Sequence, residues 1–144
     1  MSRLYTKQAL LDRLLTNLPT GVTVDDIKFK NPWKAFETEG RDIWLKTHIV
    51  EASSDTTGKS RGDSDEQRGF FQIDVFIPRL GPDYDNKLYV ATDEIATAFS
   101  FGTQLVYNGQ VVNILDSTSP DSKEDGAWFR KMITINYLTI SARI

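Results

Sequence analysis

Two stretches of the chain carry apolar residues at helical spacing. Near the amino terminus, Leu4, Leu11, Leu15 and Leu18 recur three to four positions apart, with Gln8 completing the series. This pattern predicts an amphipathic helix over residues 3–18 that ends before Pro19, and its apolar stripe requires a sheet or another helix to pack against. A second helix of about four turns is predicted from Leu88 to Phe99.

Three other stretches alternate between apolar and polar residues, which is typical of half-buried strands. They are residues 42–52, residues 70–78 with Pro78 at the end, and residues 128–140. Residues 21–41 show no sustained period, and we interpret them as a connector that packs its aromatic residues Trp33 and Phe36.

Asn108-Gly109 is the strongest local signal in the chain, because both central residues of a type I′ hairpin turn need positive φ. This turn predicts that Leu105 lies opposite Val112 and that Val106 lies opposite Val111. Since the strands mostly follow one another without crossover helices, we expect a mainly antiparallel sheet of about five strands. The predicted fold is a single α+β domain over residues 1–144, with two helices packed on one face of the sheet.

Two polar segments interrupt the predicted elements. Residues 53–68 contain almost no large apolar side chain, so this segment cannot bury enough surface to offset its own ordering entropy. We therefore expect a flexible loop, and loops of this length in compact domains are often functional. Residues 117–127 are predicted to form a second polar loop.

Composition narrows the classes of function. The chain has 144 residues, 40% of them hydrophobic, and no cysteine, which excludes disulfides, thiolate metal sites and a cysteine nucleophile. The net charge of −3 disfavours general nucleic-acid binding, which usually needs a clustered excess of Lys and Arg. Since there is no apolar run of about 18 residues and no signal-peptide pattern at the start, we expect neither a membrane span nor export by a signal peptide.

The sequence contains few candidates for catalytic residues. His48 is the only histidine and lies on a predicted strand, which argues against a catalytic triad or a histidine-rich metal site. Gly58-Lys59-Ser60 lacks the first glycine and the strand-to-helix context of a phosphate-binding loop. Arg61-Gly62-Asp63 matches an adhesion tripeptide that polar loops produce by chance. We therefore expect no catalytic residue, no cofactor and no enzymatic activity.

Acidic residues in the loops resemble two further kinds of site only superficially. The segment Asp121 to Asp125 imitates the start of a calcium loop, but Lys123 replaces an oxygen ligand and Met132 stands where Glu is required. The pairs Asp63/Asp65 and Asp83/Asp85 would need a cleft and shifted pKa values to act as acid and base. We interpret all of these carboxylates as solvated loop charges, and we expect no metal site.

The carboxyl-terminal two thirds of the chain resembles the tail-terminator proteins of long-tailed bacteriophages. The resemblance covers roughly residues 40–140, with the amino-terminal helix also in its expected place. It rests on Arg-Gly-Phe-Phe-Gln-Ile-Asp-Val-Phe-Ile-Pro from Arg68, on Asp93-Glu94-Ile95-Ala96 before Phe99, on Gly102 to Leu105 with Asn108-Gly109, on Trp128-Phe129, and on Ile133-Thr134-Ile135-Asn136-Tyr137.

This resemblance implies a structural virion protein of the tail-neck region that assembles in the host cytoplasm. It implies a homo-hexameric ring that caps the tail tube, stops its polymerisation and meets a head-completion or connector protein. DNA can pass through such a ring without sequence-specific recognition. As contacts with the next subunit or with the tube we single out five loop residues: Lys59, Arg61, Asp63, Asp65 and Arg68.

Two other functions remain open at this stage. A head-to-tail connector or stopper of the phage neck shares the size, acidity and lack of catalytic signals. A small ligand-binding or enzymatic α+β domain would instead need a pocket between helix and sheet with convergent polar groups.

Overall fold

A computed structural model describes residues 3–29, 34–56, 64–81 and 85–142. Two α-helices and seven strands lie within these ranges, together with a short 3₁₀ turn at Val24–Asp26. The elements are α1 (Arg3–Thr16), β1 (Ile27–Lys28), β2 (Trp44–Thr56), β3 (Ser64–Pro78), α2 (Asn86–Ala98), β4 (Gln104–Tyr107), β5 (Gln110–Thr118), β6 (Lys123–Asp125) and β7 (Trp128–Ala142).

Both predicted helices are present, and α2 buries the apolar stripe that its spacing indicated. The predicted stripe of α1 is wrong, because Leu4 is 58% exposed and the buried side chains of this helix are Thr6, Ala9, Leu10 and Leu14. Leu10 and Leu14 of α1 and Leu88 and Ile95 of α2 are almost completely inaccessible to solvent. The helices are also tied to each other, because Arg13 Nε donates a 2.8 Å hydrogen bond to the carbonyl oxygen of Ala98. That carbonyl lies in the last turn of α2, where helix carbonyls lack helical partners.

The predicted sheet, mainly antiparallel with about five strands, has too few strands. One of its strand pairs is also parallel rather than antiparallel. The described strands form one mixed sheet in the order β1-β2-β3-β7-β5-β4, with β6 pairing with β7 beside that path. β1 pairs with β2 in parallel, and the remaining pairs are antiparallel. β1 and β6 have two and three residues, too few to show a period in the sequence.

The hairpin register is confirmed. Leu105 pairs with Val112 and Val106 pairs with Val111, across a turn in which Asn108 has φ 48° and Gly109 has φ 82°. Behind the turn, the Gln110 side-chain amide donates to the Thr6 hydroxyl of α1 and, at 3.4 Å, to Thr139 of β7. This buried polar contact fixes α1 against the hairpin.

The hydrophobic core lies between the two helices and one face of the sheet, here called the inner face. Alternate residues of the long strands point into it. The fully buried members include Leu45, Phe71, Ile73, Val75, Ile114, Ile133 and Ile135.

Both predicted polar loops are shorter than expected. β2 and β3 extend through residues 52–56 and 64–68, because these residues pair with each other and with the end of β7. The remainder, residues 57–63, lies outside the described residues. In the second segment, residues 117–118 belong to β5 and Lys123–Asp125 forms β6, so the calcium-like stretch ends in a strand.

The connector between α1 and β2 is more ordered than its sequence suggested. Phe36 packs on Trp44 with ring centroids 5.4 Å apart, as expected, whereas Trp33 lies outside the described residues. Asp26 closes the 3₁₀ turn by accepting a 3.0 Å hydrogen bond from the Thr23 backbone N–H, and Arg41 Nη1 contacts it at 2.6 Å. Burial raises the pKa of Asp26, but the hydrogen bond from Thr23 and the Arg41 contact outweigh it, so the net shift is downward.

Replacing Asp26 with Asn should therefore lower the free energy of unfolding, by about 1–2 kcal/mol, near neutral pH. A depressed folded pKa stabilises the protein above the unfolded pKa, and this contribution is lost as pH falls through the folded pKa, below 3.8. Urea unfolding of both proteins from pH 7 to pH 2.5 measures the difference. Asp25→Asn, in the same turn but exposed, is the matched control. A difference that stays constant across this pH range would contradict the assignment.

Candidate assembly surface

The outer ends of three strands form one paired unit, in which residues 138–140 of β7 also pair with β5. This unit, here called the arm, consists of residues 52–56 of β2, residues 64–68 of β3 and residues 138–142 of β7. Its central strand is β3, which pairs with β2 on one side and β7 on the other. The arm contains the part of the predicted contact segment that the structure describes.

A bulge and a glycine mark the base of the arm. The β2–β3 register shifts between Glu51 and Ser53, which is the signature of a β-bulge and increases the local twist of a sheet. Gly69 lies opposite Glu51 on one side and Tyr137 on the other. A Cβ atom built on Gly69 would lie 2.5 Å from the Val50 carbonyl oxygen and 2.6 Å from the Tyr137 hydroxyl oxygen. The close approach of the tyrosine ring therefore requires glycine at this position.

Tyr137 is buried at this junction, although its hydroxyl is polar. Burial raises the pKa of Tyr137 to about 12, and the nearby Glu51 carboxylate adds to the shift. The phenol therefore remains neutral at physiological pH. Glu51 is itself paired with Arg3 of α1 at 2.8 Å, so the first turn of α1 contacts the base of the arm.

The structure places two of the five predicted contact residues. Asp65 and Arg68 belong to β3 in the arm, where Asp65 pairs with Ser141 and Arg68 pairs with Leu138. Lys59, Arg61 and Asp63 lie outside the described residues, as do the glycine-lysine-serine and adhesion-like tripeptides.

Arg68 has a partner that sequence reasoning missed. Its Nε and Nη2 atoms both lie 2.8 Å from one carboxylate oxygen of Glu66, two residues earlier on the same strand. Residues two apart on a strand share a face, so the alternation of β3 could have identified this pair. Arg68 remains exposed on the arm with 54% of its side chain accessible, while Glu66 is mostly covered.

The outer face of the sheet, opposite the core, carries a second group that sequence reasoning missed. The Trp44 and Phe76 rings stack with centroids 4.0 Å apart, and Trp128 meets Trp44 edge-on at 5.7 Å. The Trp44 indole N–H is buried and has no hydrogen-bond partner among the described residues. Since Trp44 and Phe76 are directly paired across β2 and β3, the alternating pattern contained this signal.

Beside the aromatic group, charged residues of the outer face are paired. Asp74 is buried, accepts a 3.2 Å hydrogen bond from Gln72 and lies 3.9 Å from Arg130. His48 lies opposite Gln72 and is half-buried, as expected of a sheet residue. These contacts pair the buried Asp74 carboxylate within the protomer.

One cleft of the described residues lies between β3, the start of α2, β6 and β7. It has a volume of about 580 Å³ and combines the apolar Pro78 and Phe129 with the charged Arg79, Asp85 and Glu124. Arg79 is already engaged, because it bonds to the Gly126 carbonyl oxygen and lies 3.5 Å from Glu124. Across the described ranges no three metal-ligating side chains come together, and no helix there is long and apolar enough to span a membrane.

Comparison with known proteins decides the family. The sequence profile described as "Phage tail terminator protein" matches residues 7–137, nearly the whole chain. The chain belongs to this family. The resemblance found in the sequence is thereby confirmed, and the protein has a structural role in the phage tail, in a family of virion proteins rather than enzymes.

Structural comparison agrees on the fold. One solved structure, whose name describes no function, superposes with a TM-score of 0.66 at 18% sequence identity. The alignment covers 96% of each chain, so the fold of this protein matches nearly the whole of the other chain. A search of curated proteins finds no match.

The close packing of Tyr137 on Gly69 predicts how substitution of this glycine changes stability. Gly69→Ala should lower the free energy of unfolding by about 1–3 kcal/mol, because the new methyl group collides with backbone and with a buried ring. Gly81→Ala is the matched control, since its Cβ would meet nothing closer than the Pro78 carbonyl oxygen at 3.4 Å. Urea unfolding at pH 7 measures both changes. Equal stability of the two variants would show that the tyrosine does not pack tightly on Gly69.

Proposed function

We propose that this protein assembles into a homo-hexameric ring on the end of the phage tail tube. The ring ends tube polymerisation and presents its other surface to a head-completion or connector protein in the neck of the virion. Membership of the tail-terminator family carries this proposal. Assembly takes place in the host cytoplasm, and DNA passes through the ring without sequence-specific recognition.

The arm supports the proposal physically. It continues the pairing of β2, β3 and β7 past the bulge at Glu51 and Ser53, so its orientation is determined by the same sheet that packs on the helices. Such a paired surface does not have to fold on contact with a neighbouring subunit or a tube protein. Preorganised surfaces lose less conformational entropy on association.

The exposed charge of Arg68 on the arm is suited to aligning this subunit with its partner. Arg68 is held by Glu66 in one geometry, yet more than half of its side chain faces solvent. Partly exposed charges at interfaces contribute more to orientation and to rejection of wrong partners than to affinity. In the same role we propose Asp65 and the flanking loop residues Lys59, Arg61 and Asp63.

A role in assembly needs no catalytic group. The buried polar side chains described above are engaged in holding elements together: Gln110 with Thr6, and Asp74 with Gln72. We infer that the protein is not an enzyme and works without a cofactor.

Polymerisation of purified tail-tube protein tests the proposed function directly. Adding this protein in increasing amounts should shorten the tubes and stop their growth, as measured by electron microscopy of tube lengths. Binding to tubes but not to isolated portal or head complexes distinguishes a terminator from a connector or stopper. Unchanged tube lengths together with binding to portal complexes would contradict the terminator function.

Exchanging the charges of the arm tests the role of its ion pair. The double variant Glu66→Arg with Arg68→Glu keeps the net charge and the internal pair but inverts the pattern that a partner meets. We expect unchanged stability and at least tenfold weaker binding to tubes, about 1.4 kcal/mol, in a sedimentation assay.

Lys7→Glu, an exposed charge reversal on α1, serves as the control and should bind tubes as the wild type does. Equal binding by the double variant and the wild type would show that this pair is only an internal contact.

A further inference from the structure

The strand β4 forms one end of the sheet, and its outer edge has no neighbouring strand among the described residues. The Ile114 N–H donates a 2.9 Å hydrogen bond to the Thr103 carbonyl oxygen at the start of this strand. Backbone groups in an antiparallel pair alternate in direction, so Leu105 and Tyr107 also face β5. The N–H and C=O groups of Gln104 and Val106 therefore point away from the sheet.

This edge lacks the features that usually protect a sheet edge. Residues 101–110 contain no charged residue and no proline, and β4 has no bulge. Val106 is 65% exposed, and Phe101, just before the strand, is 83% exposed. Exposed apolar edges with free backbone groups recruit another strand unless charge, proline or a bulge prevents it.

The opposite end of the sheet offers a second open edge. β1 covers β2 at two positions, Leu45 and Lys46, and the described residues include no other strand beside β2 on that side. From Thr47 onward, β2 thus presents a free edge that is longer than β4. β1 pairs with this edge in parallel, which shows that the edge accepts a parallel strand.

We propose that β4 of one protomer pairs with the free edge of β2 of the next, so that the sheets join head to tail around the ring. The inference rests on the proposed ring, because a closed ring of identical chains requires two different patches that complement each other. Following the strand directions through the sheet, β2 and β4 run the same way. When a second copy lies beside β2 with its strands in that direction, its β4 therefore pairs in parallel with β2. The pairing uses the part of β2 that β1 leaves uncovered.

A proline at Val106 tests the backbone part of this contact. Val106→Pro removes an N–H that faces away from β5, and proline is tolerated at such edge positions within a protomer. We expect a folded chain whose ring fraction, measured by light scattering at several concentrations and on tubes, falls at least tenfold. Val106→Thr keeps both the N–H and the branched side chain, and should assemble within about threefold of wild type. Full assembly of the proline variant would overturn the proposal.

Cysteine cross-linking tests the same contact without a destabilising change, since the chain has no cysteine of its own. Val106→Cys protein is mixed with His48→Cys or Val50→Cys protein, and the mixture is oxidised in the presence of tubes. Because Val106, His48 and Val50 lie on the outer face, at least one mixture should give a disulfide-linked dimer of unlike chains. Ile49→Cys points to the inner face and is the control, which should not cross-link.

The outcomes separate this contact from the function on which it rests. Rings that cap tubes but give no cross-link between unlike chains would overturn the edge contact and leave the terminator function intact. Cross-linking of Val106→Cys to itself would also overturn the contact, because two β4 edges would then meet symmetrically. Cross-linked rings that fail to stop tube growth would support the contact and contradict the proposed function.

Discussion

Pairing between β3 and β7 is the interaction on which the rest of the structure depends. Fifteen consecutive residue pairs join the two strands, from Ser64 opposite Ala142 to Pro78 opposite Trp128. The ladder runs from the core into the arm, and Gly69 opposite Tyr137 marks the boundary between them. Because the register does not slip at Gly69, the position of the arm follows from the packing of the core. On β3 the two parts differ in side chains: the core part buries Phe71, Ile73, Val75 and Ile77, whereas residues 64–68 are all polar.

The two faces of this sheet divide the work between stability and contact. The inner face buries aliphatic side chains under α1 and α2, and Gln110 ties α1 to the hairpin. The outer face carries a stacked aromatic group and the contact between Asp74 and Arg130. The surfaces left for partners are the arm and the two open edges. This arrangement suits a protein whose task is to join copies of itself to a polymer.

Much of the fold could be predicted because its signals are local. Both helices followed from apolar spacing, although α1 buries Leu10 and Leu14 rather than the predicted stripe. The hairpin register followed from the positive φ that Asn108-Gly109 supplies. β1 and β6 could not be predicted, since strands of two and three residues have no period. The outer ends of β2 and β3 were hidden for a different reason. They are polar and take strand conformation through pairing with each other and, for β3, through long-range pairing with β7.

The candidate site was predictable to a smaller extent. The segment around Arg68 was singled out as a contact segment, which stays a prediction. Its partner Glu66 was missed because the segment was interpreted as a loop, in which alternation has no meaning. Gly69 and Tyr137 were both visible in the sequence, yet their contact depends on the pairing of strands 68 residues apart in the chain. Long-range register is the information that single-sequence reasoning lacks.

We propose that this fold acts through surfaces that it presents to copies of itself and to the end of a polymer. Electron microscopy of tail tubes incubated with gold-labelled protein is the sharpest test. We expect label at one end of each tube, in a ring that class averaging resolves into repeated copies of the chain. Label scattered along the tube walls, or tubes without label beside a monomer that stays free in solution, would contradict it.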